Sequence, residues 1–407
     1  MTAERLVNLP QRSGTLAQLA AIKLQNPVHL LLVAVAILAA TCLPLLTFAP
    51  NRLLSGHGIF LQELFGHAGP YWLLAIPALP LLAAPWLRAG LGSRLLLIVA
   101  AALLSCGLLA LAGQEAAVRS GAEGSLARVS FGGAFWLLAL VAWLQLAEAL
   151  RGLLLSVPAQ VAVVVLAALP TLGLLLSGQP DSLSLLKEYH NHLDSFDQAL
   201  LRHLQLVLFS VLPAVIIGTS CGALAFRSQR LGKLLFPLLN VIQTIPSIAM
   251  FGLLIGPLTL LGLLLPRSGI SGIGMAPALL ALILYSLLPM TRSAVAGLEQ
   301  VPAAVREAAR GIGMSAAQIF FRVELPLALP VFLNGVRVTT VQAVGLVEVA
   351  ALIGAGGFGT LMFQGMASSA LDLVLLGVIP VVVLAICVDA AFKVAIALLT
   401  RKVQENQ

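Results

Sequence analysis

Charge is what this sequence most lacks: Asp, Glu, Lys and Arg make up 10% of its 407 residues, where water-soluble chains carry roughly a quarter. So little charge cannot cover soluble globules, which excludes a chain of two or three soluble domains. Aromatic residues are scarce at 6%, and apolar residues do not alternate strictly with polar ones, which excludes the strands of an outer-membrane β-barrel. The four cysteines, Cys42, Cys106, Cys221 and Cys387, all fall inside apolar runs. Without a paired extramembrane framework they read as free thiols, and the redox compartment stays open. No GxxxxGK[ST] or HExxH pattern occurs, so no phosphate loop or zinc-protease helix is written into the chain.

What is present is hydrocarbon. Residues of the apolar class make up 60% of the chain, in runs near the ~20 residues that cross a bilayer as helix. The expected class is an all-α polytopic membrane protein with about ten transmembrane helices, near 28–48, 71–88, 94–113, 132–150, 157–177, 204–226, 235–256, 275–296, 331–353 and 373–398. Such a number places both termini on one side. With the termini inside, only Arg52, Arg119, Arg128, Lys187, Arg202 and Arg267 face out, and Arg337 and Lys393 fall within spans; the remaining basic residues lie on inner segments. That bias predicts cytoplasmic termini. It also accounts for the net charge of +7 without nucleic acid. The polar stretch Met1 to Pro27 precedes an apolar run that lacks a small-residue cleavage pattern, so it reads as the approach to a retained first span.

Two extramembrane segments break the pattern of short loops. Gly178 to His203 mixes Asp181, Glu188, Asp194 and Asp197 with Leu183, Leu186, Leu193 and Phe196, as an amphipathic segment at the outer interface does. It divides the chain into an extension of about five helices, 1–180, and a second part, 181–407. The longest inner loop, 291–330, carries the most informative residues. Pro302 suits a first helical turn, Val305, Ala308, Ala309 and Ile312 follow at helical spacing, and Gly311 and Gly313 stop the helix. Ser315 with Gln318 is a capping-box pattern opening a second short helix, which Pro326 is expected to end. Glu307 offers a charge to a partner, and the small side chains Ala308 and Ala309 let a partner's backbone approach. The same pattern also suits a helix pair lying on the inner leaflet.

Glu307-Ala308-Ala309, Gly313, Val323 and Leu325-Pro326, in this order and spacing, resemble the EAA loop of permease subunits in binding-protein-dependent ABC importers. Val323 stands where that family usually has Ile. The resemblance implies a coupling helix seated in a cleft of an ABC ATPase subunit, with Glu307, Ala308, Ala309, Gly313, Leu325 and Pro326 docking and transmitting movement. It implies no catalytic residue and no cofactor in this chain, ATP and Mg on the partner ATPase, a periplasmic substrate-binding protein, and a second permease subunit, homologous or identical, in the bacterial inner membrane. The stretches 240–247, 351–359 and 369–377 resemble the osmoprotectant branch, which carries glycine betaine, choline and related amines. Ala49 to Gly56 and Gly124 to Ser130 resemble YehY-type permeases, which have the same extra N-terminal spans. An ABC permease for an amino acid such as methionine and an ion-coupled secondary transporter stand as alternatives; the latter would need a fuller set of intramembrane relays than Glu348 and Asp389.

A path for a zwitterion needs polar groups without a deep trap. Asn240, Gln243 and Thr244 lie within about a turn of one another just before Pro246, which loosens the backbone there. Lining a path and bonding helix to helix are both open to them. Glu348, an intramembrane carboxylate, is the sharpest path candidate; Asp389 has Lys393 four residues on and reads as a local pair. Gly354, Gly356 and Gly359 spell GxGxxG, but outside a strand-turn-helix context they read as a flexible outer turn, not a dinucleotide site. Gly218 with Gly222, and Gly252 with Gly256, suit close helix packing. His190, His192 and His203 form too loose a set for a metal.

Overall fold

A computed structural model describes residues 25–51, 56–65, 74–120 and 126–405. The readings above for 1–24, 52–55, 66–73 and 121–125, including parts of the two stretches likened to YehY-type permeases, lie outside the described residues. The chain divides into two compact units, Met1–Ser156 with Ala162–Leu183, and Val157–Val161 with Ser184–Gln407. Among the described residues eight helices are long and apolar enough to cross a membrane, and Pro27–Cys42 and Ala75–Trp86 are shorter apolar helices.

In the first unit, α1 (Pro27–Cys42) starts where the Asn26 side chain accepts from the Val28 N–H and Pro27 occupies the first turn. It stops short of the expected 48. Leu43 precedes Pro44 and takes an extended conformation (φ −116°, ψ 146°), as the residue before a proline prefers. The chain then runs as β1 (Leu46–Ala49), antiparallel to β2 (His57–Ile59) and, on its other edge, to β3 (Arg128–Phe131). Leu46, Ile59, Val129 and Phe131 are buried on this small sheet. The helical class expected of the chain holds, with this small sheet as an addition that the sequence did not show, because strands of three or four residues are too short to display a two-residue period. The other regular elements described in the unit are helices: α2 (Leu61–Phe65), α3 (Ala75–Ala83) with a 3-10 turn at Ala84–Trp86, α4 (Leu91–Ser120), α5 (Gly133–Arg151) and most of α6 (Val157–Leu176). Leu97, Ala101, Ala142, Leu146 and Ala149 join α4 and α5 in one apolar core.

The second unit begins with α7 (Ser184–Asn191) and α8 (Leu193–Arg227). The expected interfacial segment is therefore only partly separate. Ala199, His203, Leu206, Ser210, Ala214, Gly218, Gly222 and Ala225 are all buried on α8, a stripe at three- and four-residue spacing that carries one helix through residue 203 without interruption.

The expected span 235–256 is also corrected. It is two helices, α9 (Gln229–Thr244) and the uncharged, largely apolar α10 (Ser247–Leu264), separated at Ile245, which is extended (φ −69°, ψ 126°) before Pro246. Then follow α11 (Met275–Glu299), α12 (Ala303–Gly311), α13 (Ala316–Ile319), a π-helical turn (Phe320–Glu324), α14 (Leu325–Ala350), α15 (Gly359–Ala367) and α16 (Leu371–Glu405).

α11 lies between α8 and α14. A Cβ on Gly222 would come within 2.6 Å of Ala294 Cβ and 2.8 Å of the Thr291 carbonyl, and one on Gly335 would strike Ser293. These glycines let helix backbones touch, and the Ser293 hydroxyl donates to the Val331 carbonyl at 3.0 Å. Gly218 is packed on Met290 in the same way, whereas Gly252 and Gly256 have nothing within 4 Å of a Cβ. The second glycine pair thus makes no close packing among the described residues.

Candidate functional site

The loop between α11 and α14 is a short, well-fastened projection. α12 ends in a Schellman motif: the Gly313 N–H bonds to Arg310 O at 2.9 Å, the Met314 N–H to Ala309 O at 3.1 Å, and Gly313 sits in the left-handed region at φ +83°. The capping box then opens α13, with the Ser315 hydroxyl accepting from the Gln318 N–H and the Gln318 side chain accepting from the Ser315 N–H.

Pro326 does not end this helix. Leu325 N–H bonds back five residues to Phe320 O, and this wider π turn lets the chain continue through a residue with no N–H to give. Leu325 is half-buried and Pro326 exposed at the start of α14.

The sequence reading gives both alanines to an approaching partner; the structure separates them. Ala308 and Glu307 are exposed, while Ala309 is 5% exposed and turned into its own chain. Beside Glu307 and Ala308, Ile312 and Phe321 are 79% and 65% exposed, an apolar surface next to a free carboxylate.

Contacts the sequence did not disclose hold this projection to the bundle. Arg306 lies over the Phe226 ring at 5.3 Å and Arg227 over the Phe320 ring at 5.6 Å. Arg306 also donates to the Val301 carbonyl and lies 3.8 Å from Glu324. Each cation–π contact contributes about 0.5–2 kcal/mol, and the two cross over, joining α12 to the end of α8 and the end of α8 to the π turn.

Asn240, Gln243, Thr244 and Pro246 come together at the break between α9 and α10. Asn240 accepts from Arg292 at 2.8 Å, and the Thr244 hydroxyl donates to Val241 O at 2.7 Å. Gln243 donates to the Tyr285 carbonyl at 2.7 Å. That carbonyl lies four residues before Pro289 and so has no helical N–H to accept from; Gln243 supplies the missing donor. In return the Tyr285 hydroxyl donates to the Ile245 carbonyl, which the break leaves without a helical partner. Gln243→Leu should therefore cost about 1–3 kcal/mol by stranding a buried acceptor. The cost should shrink in a Pro289→Ala background, where an N–H is restored. Thermal unfolding of the two single variants and the double variant measures this coupling.

At the opposite end of the bundle, a cavity of about 480 Å³ is lined by Ser195, Gln198, Arg202 and Gln205 of α8, by Gly356 and Gly357, and by Thr360 and Gln364 of α15. Arg202 is the only charged side chain in that lining. Its Nε donates to Ala355 O at 2.9 Å. The neighbouring His203 is fully buried and bonds through Nε2 to the Val344 carbonyl at 3.1 Å; since a carbonyl only accepts, Nε2 carries the proton. Three successive needs for left-handed backbone, at Gly354, Gly356 and Gly357 (φ +76°, +90° and +87°), form the turn. A Cβ on Gly356 would strike Arg202 and one on Gly359 the Glu348 carbonyl. The polar stripe 195, 198, 202, 205 is present in the sequence at helical spacing, but it crosses the boundary expected between an amphipathic interfacial segment ending at 203 and a span starting at 204.

Glu348 stands two residues before the end of α14, with Oε1 buried and without a hydrogen bond. Asp389 pairs with Lys393 at 2.7 Å and also with Arg337 of α14 at 2.8 Å. The second contact ties α14 to α16 and accounts for an arginine within a span. Among the described residues no group of three or more His, Cys, Asp or Glu is placed to hold a metal ion.

Comparisons with known proteins identify the family. Residues 23–186 match the family described as ABC transporter permease YehY, N-terminal domain, and residues 214–403 match that described as binding-protein-dependent transport system inner membrane component. The chain is 40% identical over 188 residues to an osmoprotectant import permease protein, OsmW, of Salmonella typhimurium, covering 46% of this chain and 84% of that protein. It is 35% identical over 193 residues to a glycine betaine/carnitine/choline transport system permease protein, OpuCD, of Bacillus subtilis, covering 47% and 79%. Among solved structures, an inward-facing MetNI methionine ABC transporter chain aligns at a TM-score of 0.47 and 21% identity, over 51% of this chain and 98% of that one.

Proposed function

Because the chain belongs to the family of inner-membrane components of binding-protein-dependent transport systems, we propose that it is the membrane subunit of an ATP-driven importer of quaternary-ammonium osmoprotectants such as glycine betaine or choline. It is a permease and not itself an enzyme. ATP and Mg bind a separate ATPase subunit, a periplasmic binding protein delivers substrate, and a second permease, identical or homologous, completes the pathway. The loop 303–324 and both termini face the cytoplasm; the cavity beside Arg202 faces the periplasm.

One observation carries this reading. The projection is fastened to α8 by crossed cation–π contacts and runs without a break into α14, and both helices reach the polar cavity's end of the bundle, where Arg202 and His203 of α8 bond to Ala355 and Val344. From Arg227 to Arg202 is about 37 Å of helix at 1.5 Å per residue. Closure of an ATPase dimer would push or pull α12, and the two helices would carry that displacement to the far gate. Small movements become discrete changes because packed helices are bistable and do not deform continuously.

Ile312 and Phe321 supply the apolar contact with the ATPase and Glu307 the charged one. A cysteine at exposed Ile312 should cross-link to cysteines in a cleft of the coexpressed ATPase, while one at Leu263, 73% exposed on α10, should not. Equal labelling at both positions would contradict the docking assignment.

A further inference from the structure

The first unit holds a cavity of about 410 Å³ among α1, α2, α3, α4 and α5, within the ~300–1,000 Å³ of small-molecule sites. Its lining is apolar except for Thr41 and Gln145. Ile37, Phe65 and Leu79 belong to the lining yet are 52%, 52% and 65% exposed, so the cavity opens through an apolar rim. On a bilayer-embedded unit such a rim opens to hydrocarbon.

The two polar groups differ. The Thr41 hydroxyl is already spent on the Ile37 carbonyl at 2.9 Å. Gln145 is 1% exposed, and its Oε1 is buried without a donor. A second unpartnered atom lies at the same level. Asn26 donates to Glu148 at 3.2 Å, tying the start of α1 to the end of α5; Gln145 is one turn inward of Glu148, and His29, 5% exposed with Nδ1 unpartnered, is one turn inward of Asn26. An acceptor buried without a donor is costly to keep, and it marks where a bound molecule would bring an O–H.

We propose that this cavity binds an uncharged membrane lipid with a hydrocarbon body and a single hydroxyl, the body filling the cleft between α1 and α3 and the hydroxyl donating to Gln145 Oε1. An acyl chain alone brings no donor, and no charged side chain in the lining would pair with an ionic headgroup. The inference is independent of the transport reading and gives the N-terminal unit a role of its own, sensing or recruiting a neutral lipid.

The test uses the full chain in lipid nanodiscs with a diazirine-bearing hexadecanol as photoprobe, competed by 1-hexadecanol or by methyl hexadecyl ether, which has no donor. Label should fall on peptides containing residues 33–41 and 138–145. The alcohol should compete about tenfold better than the ether, the ratio one hydrogen bond supplies. Gln145→Leu should erase that preference, and Ala36→Phe with Ala78→Phe should abolish labelling. Equal competition by alcohol and ether in the unaltered chain would mean that water alone satisfies Gln145 and would overturn the proposal, as would labelling that persists in the filled variant. Should Gln145→Leu fail to fold, the competition ratio in the unaltered chain decides.

Discussion

Gly313→Val should leave ATP hydrolysis running while import falls by tenfold or more, and Gly313→Asn should keep most of the import. The difference between the two variants is the informative part. Nothing lies within 4 Å of a Cβ at this position, so a larger side chain meets no wall. The constraint is the backbone: at φ +83° an ordinary L-residue is disfavoured by roughly 1–2 kcal/mol, a β-branched one is a true outlier, and Asn is the tolerated substitute at a helix end. Valine would relieve its strain by giving up the two bonds that close α12. Ile312 and Glu307 would then no longer be held at a fixed angle to the crossed contacts of Arg306 and Arg227. Hydrolysis and uptake measured in the same proteoliposomes read the effect; valine and asparagine variants that behave alike would show that this turn does not carry the movement.

Glu348→Gln should weaken uptake of a quaternary-ammonium substrate by tenfold or more and leave the unfolding temperature unchanged or raised. Oε1 of Glu348 is buried without a hydrogen bond, so at this oxygen an ionised carboxylate has no bond to offset its desolvation, and a neutral amide of the same shape is easier to keep there. Against a passing cation the balance reverses. At an effective dielectric constant of ~20 a charge pair about 5 Å apart is worth roughly 3 kcal/mol before desolvation, and 1.4 kcal/mol is already a factor of ten. The expected signature is a raised KM for glycine betaine and choline. An unchanged KM and substrate range would remove Glu348 from the path.

How far the sequence disclosed this molecule depended on the distance between the residues involved. The turn at Gly313 and the box at Ser315 and Gln318 were legible because each closes within a few residues. The break at Pro246 was legible too, but it was read as a loosened span when the residue before it ends a helix outright. The small sheet was hidden by the shortness of its strands, and Pro326 misled because a π turn cannot be seen in composition. The clamp of Gln243 on Tyr285 could have been found from Pro289, which announces an orphaned carbonyl without saying who fills it. The pairing of Arg306 with Phe226, of Arg227 with Phe320, and of Arg337 with Asp389 joins positions tens of residues apart, and only the folded chain brings them together.

ATP-driven accumulation of labelled glycine betaine decides whether this chain serves an osmoprotectant importer. The chain is reconstituted in proteoliposomes with its ATPase and binding protein, and uptake is competed with choline and with methionine. Accumulation is expected to need all components and ATP, to be suppressed by choline, and to be untouched by methionine. Accumulation without the ATPase under a proton or sodium gradient, or suppression by methionine and not by choline, would contradict that role.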